Sequence, residues 1–337
     1  MNINVNQNKK LYTHITISSL MGQEVELLTV GASLTKWITK KGINIVASYK
    51  NPLDYYKPGM YLGTTVGLNS GRIEDSKFYL DNKLYQIKSA NSEFLHGGDN
   101  SLSFQNFDYS IEINTDELVI ISFSLVYQPG YLPGIQKVIV KYIIRDGQIR
   151  ITFDVTSDTL TLCNLTNHSY FNLDGEFNDT VKNHSLQLPS SRVVLINKNF
   201  IGKEILDVKD TFYDFTTLSL VLPKVEAIRK SGDPAFGLDH YFPFDGGKQL
   251  APIRLYSNKT KLLLEVFSSY PGVTVYSSNF PNEKLLHNNR KLALSGAICL
   301  ETQYASNAIN DSRFEKGIID LNHPYHHFIE YTIGGTI

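Results

Sequence analysis

The amino-acid sequence predicts an all-β protein, a large antiparallel β-sandwich with very few short helices. Residues 148–155 alternate apolar and polar side chains, the period of two that a half-buried strand requires. Short β-branched and aromatic runs recur along the chain between turns rich in Gly, Pro and Asn, which is typical of sandwiches and barrels. The 20 Tyr and 18 Phe also favour strands.

Recognisable turns bound the predicted strands. The runs 78–80 and 84–87 flank Asp81-Asn82, and the runs 138–144 and 149–155 flank Asp146-Gly147, which predicts two tight hairpins. Further strands are predicted over 118–127, 185–188, 192–196, 262–267 and 273–276. The best helical window, 222–230, begins around Pro223 and ends near Gly232. No repeat, low-complexity segment or linker interrupts the chain, so we expect one domain over residues 1–337.

Composition excludes several classes of function. The 337 residues include 32 Lys and Arg against 33 Asp and Glu, so no basic face is expected for nucleic acid. No signal peptide and no apolar run long enough to span a membrane are visible, which predicts a cytoplasmic protein without a membrane partner. Cys163 and Cys299 lie in apolar runs and are expected to be free, buried thiols. No zinc spacing, phosphate loop or dinucleotide motif is present, so we expect no cofactor and no metal.

Two segments carry the strongest candidate chemistry. His168 lies in Asn-His-Ser-Tyr-Phe-Asn, among polar side chains able to fix its tautomer, including Asn164, Asn167 and Ser169. Glu301 follows the apolar run 297–300, where a carboxylate is unusual unless it is paired or functional. One imidazole and one carboxylate are the minimum pair for moving a proton from one oxygen to another. The alternatives are a structural histidine and a glutamate exposed on an edge strand.

Three more side chains could bind a polar ligand. Arg72 follows three glycines and offers fixed donors suited to vicinal hydroxyls, although a structural Arg–carboxylate pair would explain it equally. His96 precedes paired glycines that allow close approach of the backbone, or it is simply a solvated loop histidine. Asp239 can accept two hydroxyl hydrogen bonds from one sugar face, or it is a turn aspartate bonded to its own backbone.

Taken in order, these segments resemble the aldose 1-epimerase (galactose mutarotase) family. The resemblance runs through G-x-x-x-G and G-R-I within 63–73, KFYLDNKLYQI at 77–87, FLHGG at 94–98, NHSYFNL at 167–173, GLDHYF at 237–242, PGVTVYSSNF at 271–280 and CLETQ at 299–303. It implies a β-supersandwich and the interconversion of α and β anomers of free aldoses such as galactose and glucose, without a metal or redox cofactor. A small-molecule sugar is then the expected partner, and the chain is expected to be a monomer or homodimer.

The resemblance also implies roles for individual residues. Glu301 would be the base on the anomeric hydroxyl and His168 would protonate the ring oxygen, while His96, Asp239 and Arg72 would bind the sugar. The chain departs from the family at Leu68, where many members carry a first arginine, and after Glu301, where the segment 305–310 lacks the usual proline and aspartate. Position 274 is Thr, whereas some members carry a longer amide. These departures leave the identity of the sugar open.

Three other functions fit the residues less well. A hexose-6-phosphate 1-epimerase would need more cationic groups than the single arginine near position 72. A non-catalytic sugar-binding protein of the same fold would not need both His168 and Glu301. A glycosidase would need two catalytic carboxylates, for which Asp239 could be the second, but the histidines would then lack a role.

Overall fold

The computed structural model describes residues 1–8, 11–57, 59–88, 94–128 and 130–335. In chain order the strands are β1 (Asn2–Asn8), β2 (Tyr12–Ser18), β3 (Glu24–Leu28), β4 (Ser33–Ile38), β5 (Thr65–Val66), β6 (Arg72–Ile73), β7 (Lys77–Leu80), β8 (Lys83–Gln86), β9 (Phe94–Leu95), β10 (Asp108–Asn114), β11 (Val119–Tyr127), β12 (Gln136–Arg145) and β13 (Gln148–Ser157). They continue with β14 (Thr161–Leu162), β15 (Thr166–Asn167), β16 (Tyr170–Phe171), β17 (His184–Gln187), β18 (Arg192–Ile196), β19 (Gly202–Asp207), β20 (Ser219–Leu220), β21 (Asp239–Pro243), β22 (Ile253–Ser257), β23 (Leu263–Ser268), β24 (Gly272–Tyr276), β25 (Ile298–Thr302), β26 (Ile318–Ile319) and β27 (Tyr325–Gly334).

Helical structure is scarce in the described part of the chain. The α-helix α1 (Val221–Lys230) follows β20 directly. Short 3-10 helices span Pro52–Tyr56, Glu74–Ser76, Gly98–Asn100, Leu102–Phe104, Asp245–Gly247 and Ala308–Asn310. No helix within these described ranges is both long and apolar enough to cross a membrane.

Among the described residues, three antiparallel sheets have four or more strands, and further strands form two-stranded sheets. The largest has nine strands in the order β10-β11-β12-β13-β27-β23-β22-β17-β20, and a second has six in the order β16-β25-β24-β21-β18-β19. The strands β1 to β4 form a four-stranded meander. The rings of Phe171, on the six-stranded sheet, and Tyr331, on the nine-stranded sheet, lie 5.3 Å apart. Apolar side chains of both sheets therefore share one core, and the predicted all-β antiparallel class is confirmed.

Local patterns predicted three of the longest elements correctly, whereas the ten-residue strand β27 was not predicted. Strands β12 and β13 alternate buried and more exposed residues, as the period of two requires. Gly147 turns between them with φ 74°, and Asp81 and Asn82 turn between β7 and β8 with φ 48° and 58°, values that suit a tight hairpin. The predicted helix is α1, and the two cysteines are free and buried as expected.

Candidate active site

One face of the six-stranded sheet forms the floor of a cleft. Residues directly opposite one another on neighbouring antiparallel strands point to the same face. Asp239 on β21 lies opposite Tyr276 on β24, and Thr274 on β24 lies opposite Glu301 on β25. The intervening residues, such as Val275 opposite Leu300, point into the core. Alternate residues of the same strands therefore supply the cleft and the core.

Glu301 is buried on the second strand of this sheet. Strand β25 pairs with β24 on one side and with the short β16 on the other, and the Glu301 side chain is buried, so exposure on an edge strand does not explain this carboxylate. Its side chain is 4% exposed, and that of His168 is 6% exposed. His168 Nε2 lies 3.4 Å from Glu301 Oε1, so the structure brings the two strongest sequence candidates together.

His168 is held mainly through its backbone. Its N–H donates to the carbonyl of Thr64 at 2.9 Å, and its carbonyl accepts from the N–H of Gly63 at 2.9 Å. The neighbouring Asn167 side chain donates to the Gly63 carbonyl and accepts from the Ser169 hydroxyl. The expectation that these polar neighbours fix the histidine tautomer is therefore wrong: they secure the backbone. The Nδ1 atom of His168 is buried with no hydrogen-bond partner among the described residues.

His96 is presented to the cleft by a strained loop. It has φ 51°, and Gly97 follows with φ 88° at a place where a Cβ atom would stand 2.4 Å from the Gly67 carbonyl oxygen. The N–H of Gly71 donates to His96 Nδ1 at 3.1 Å. Since Nδ1 accepts, the neutral ring carries its proton on Nε2. His96 is therefore a hydrogen-bond donor through Nε2.

Burial controls the protonation of the two histidines and of Glu301. It lowers the pKa of His168 to about 4, and it holds the pKa of His96 well below its ordinary value of 6.5. Burial also raises the pKa of Glu301 well above 4.5, and repulsion from Asp239 adds to this shift. The shifts of His168 and Glu301 both favour a state in which these two side chains together hold one proton and carry no net charge.

The same cluster has the composition of a metal site. One ligand atom each from His96, His168 and Glu301 lie within 4.8 Å of one another, and two histidines with a carboxylate are a known zinc set. A metal on His96 Nε2 would force the ring proton onto Nδ1, where it would face the Gly71 N–H. These residues therefore do not fit a resident metal.

Asp239 and Arg72 lie on the floor and a wall of the cleft. Asp239 is on strand β21, so it is not the turn aspartate of the simpler interpretation. Its backbone N–H donates to His240 Nδ1 at 3.2 Å, and His240 Nε2 lies 3.1 Å from a carboxylate oxygen of Asp233. On β6, the Arg72 guanidinium carbon lies 4.9 Å from the centre of the Phe200 ring.

All five candidate residues line a single cleft of about 620 Å³. The sequence interpretation missed several other lining residues, among them Tyr61, Tyr170, Phe200, Tyr276, Phe280 and Gln303. Tyr170, Tyr276, Phe280 and Gln303 fall inside segments that carry the family resemblance, but only their neighbours had been singled out. Tyr61 and Phe200 are isolated aromatics in loops, and nothing local in the sequence marks them.

Comparisons with known proteins identify the family of this chain. The model of the family described as Aldose 1-epimerase matches residues 13–332. The galactose mutarotase of Homo sapiens is 26% identical, over 90% of this chain and 89% of its own length. The aldose 1-epimerase of Streptococcus thermophilus is 27% identical, over 95% of this chain and 92% of its own. The solved structure of an aldose epimerase homologue from C. elegans superposes with a TM-score of 0.84 at 29% identity, covering 96% of this chain and 99% of that one. The chain therefore belongs to the aldose 1-epimerase family of carbohydrate isomerases.

Proposed function

We propose that this enzyme interconverts the α and β anomers of free aldohexoses such as D-galactose and D-glucose. Glu301 and His168 carry out the acid–base chemistry, and His96, Asp239 and Arg72 bind the sugar hydroxyls. The observation that carries the proposal is the 3.4 Å separation of His168 Nε2 and Glu301 Oε1 at the bottom of the cleft. Two groups this close can each reach one of the two oxygens bonded to a single anomeric carbon.

Ring opening follows from these positions. The Glu301 carboxylate removes the proton of the anomeric hydroxyl while the His168 imidazolium donates a proton to the ring oxygen. The bond from the anomeric carbon to the ring oxygen breaks, and an aldehyde forms. Rotation about the adjoining carbon–carbon bond presents the other carbonyl face, and reclosure returns both protons to their donors. The pair ends with the single proton with which it began.

The proton content of the buried pair supports this cycle. In the empty cleft burial favours the proton on Glu301, whereas ring opening needs it on His168. The two arrangements hold the same number of protons and differ by one transfer between neighbouring atoms. A sugar that donates to the Glu301 carboxylate and accepts from the His168 imidazolium favours the reactive arrangement. The Nε2–H of His96 adds a donor for an oxygen of the sugar.

The lining of the cleft disfavours a phosphorylated substrate. Among the described residues that line it, Arg72 is the one lysine or arginine. A sugar phosphate carries about two negative charges at neutral pH, and phosphate sites usually supply several donors or cations. A free sugar leaves no such charge to neutralise.

Polarimetry tests the proposal directly. Freshly dissolved α-D-galactose and α-D-glucose are followed to their equilibrium rotation with and without the purified enzyme. We expect faster decay with the enzyme and loss of that acceleration in Glu301→Gln, while the exposed Glu117→Gln variant serves as the matched control. Failure of the wild-type enzyme to accelerate either sugar would show that free hexoses are not its substrates.

A further inference from the structure

Tyr61 is the aromatic residue that contacts both histidines of the cleft. Its ring centre lies 5.0 Å from that of His96 at an angle of 64°, and 5.9 Å from that of His168 at 25°. The Tyr61 ring also stacks on the ring of Phe104, with the two ring centres 5.6 Å apart. The ring is therefore positioned by a buried phenylalanine and packs against both imidazoles.

The backbone of Tyr61 is strained in the way that functional positions often are. Its φ is 55°, in the left-handed region that residues other than glycine, asparagine and aspartate rarely adopt. The conformation is held because the Tyr61 carbonyl accepts from both the N–H and the hydroxyl of Thr64, each at 3.1 Å. The same Thr64 accepts the His168 N–H through its own carbonyl. One short segment thus fixes the tyrosine and the acid–base histidine together.

The Tyr61 hydroxyl is not used in hydrogen bonds within the described residues. The residue is nevertheless half-buried and lines the cleft. The hydroxyl is not among the buried polar atoms that lack a partner, so it is accessible from the cleft. A ligand in the cleft can supply a hydrogen-bond partner.

We propose that Tyr61 is a further active-site residue: its hydroxyl bonds a hydroxyl of the bound sugar, and its ring positions His168 and His96. This inference rests on the proposed function and names one more contact of the same site. The face of the ring also packs against the His168 imidazole and so keeps water from it. Tyr170 lies nearly parallel to the same imidazole at 5.2 Å, so two tyrosines share this task.

Two substitutions separate the hydroxyl from the ring. Tyr61→Phe keeps the ring and removes the hydroxyl. Because one neutral hydrogen bond to the sugar is lost, we expect kcat/KM for galactose and glucose to fall about threefold to tenfold. Thermal stability is expected to stay at the wild-type value, since the hydroxyl has no partner to lose among the residues that the structure describes. Tyr79→Phe is the matched control, because Tyr79 is 63% exposed on β7 and lies outside the cleft.

The pH profile of Tyr61→Leu tests the role of the ring, because a purely structural role of the ring would leave that profile unchanged. Removing the ring admits water to His168, whose pKa is lowered by burial, so that pKa rises towards 6.5. The acid limb of the pH profile of kcat is expected to move to higher pH, and kcat to fall more than tenfold. An acid limb at the wild-type position would overturn the role of the ring.

The outcomes for this inference and for the proposed function are distinct. A wild-type enzyme that is active on both sugars, with Tyr61→Phe unchanged in kcat and KM, overturns the role of the hydroxyl and leaves the proposed function standing. A wild-type enzyme that accelerates neither sugar overturns the proposed function itself. A loss in Tyr61→Phe that Tyr79→Phe does not share supports Tyr61 as a sugar contact.

Discussion

Replacing Glu301 with glutamine is expected to stabilise the folded protein near neutral pH while it removes activity. Glutamine has nearly the shape of glutamate, so the packing of β25 is kept. The carboxylate differs in one respect that matters here: in the unfolded chain it ionises with a pKa near 4.5, whereas burial raises its pKa in the folded chain. Between pH 4.5 and its raised pKa, Glu301 therefore holds a proton in the folded chain that it has lost in the unfolded chain.

The sign and size of the effect follow from this difference. A carboxyl whose pKa is raised by folding makes its full contribution to stability below its unfolded pKa. That contribution is lost as the pH rises towards the folded pKa. Each pH unit above 4.5 over which Glu301 keeps its proton costs the folded state about 1.4 kcal/mol. The Glu301→Gln variant has no ionisable group at this position, so its folded state does not carry this cost. With about 2.1 cal/mol/K of unfolding entropy per residue, 337 residues give about 0.7 kcal/mol/K, so the gap in Tm grows by about 2 °C per pH unit.

Calorimetric scans of the wild type, Glu301→Gln and Glu117→Gln at about pH 5, 6 and 7 measure this gap. We expect the wild type and Glu301→Gln to converge towards pH 4.5 and to separate as the pH rises, while the exposed Glu117 substitution follows the wild type throughout. Parallel curves for the wild type and Glu301→Gln would refute the reasoning, because they would mean that Glu301 loses its proton in the folded protein as readily as in the unfolded chain.

Further predictions concern the histidine and the floor of the cleft. His168→Gln is expected to lower kcat about 10²- to 10⁴-fold in polarimetry, the usual worth of one positioned proton transfer, and a loss below threefold would contradict its role. The pH profile of kcat is expected to fall on the acid side near pH 4, where a second proton on the pair blocks the Glu301 base, and on the alkaline side as the pair loses its only proton; an acid limb at 6.5 would argue against the buried pair. Asp233→Asn removes the carboxylate beside His240 and so loosens Asp239, and we expect KM to rise about threefold to tenfold with a smaller change in kcat; an unchanged KM would show that Asp239 does not depend on this contact.

The elements that the sequence predicted are those whose signals are local. Strands β12 and β13 carry an unbroken alternation, and their connecting Asp146-Gly147 turn is visible in the letters alone. Strand β1 was missed because its Asn-rich sequence suggests a loop. It forms a strand only because it pairs with β2 along its whole length, which is information from another part of the chain.

The candidate site shows the same contrast between local sequence signals and contacts with distant parts of the chain. His168 and Glu301 stand out by their setting in the sequence, and the structure places them side by side. The role of Asn167 was predicted wrongly, since an amide near a histidine in sequence can equally bond a distant backbone, here that of Gly63. Tyr61 was missed because its importance lies in a left-handed backbone and in contacts with residues 35 and 107 positions away, which no local pattern encodes.

Because the same strands line both the cleft and the core, their sequence tolerates fewer insertions and deletions than that of the loops. Inserting or deleting one residue in β25 would exchange Glu301 for Leu300, placing a carboxylate in the core and an apolar side chain on the floor of the cleft. The length of these strands is therefore fixed by chemistry and by folding at once. The walls, formed by the loops that carry Phe200 and Phe280 and by short β6, are under no such double constraint. Changes in sugar preference can accumulate there while the reactive floor stays the same.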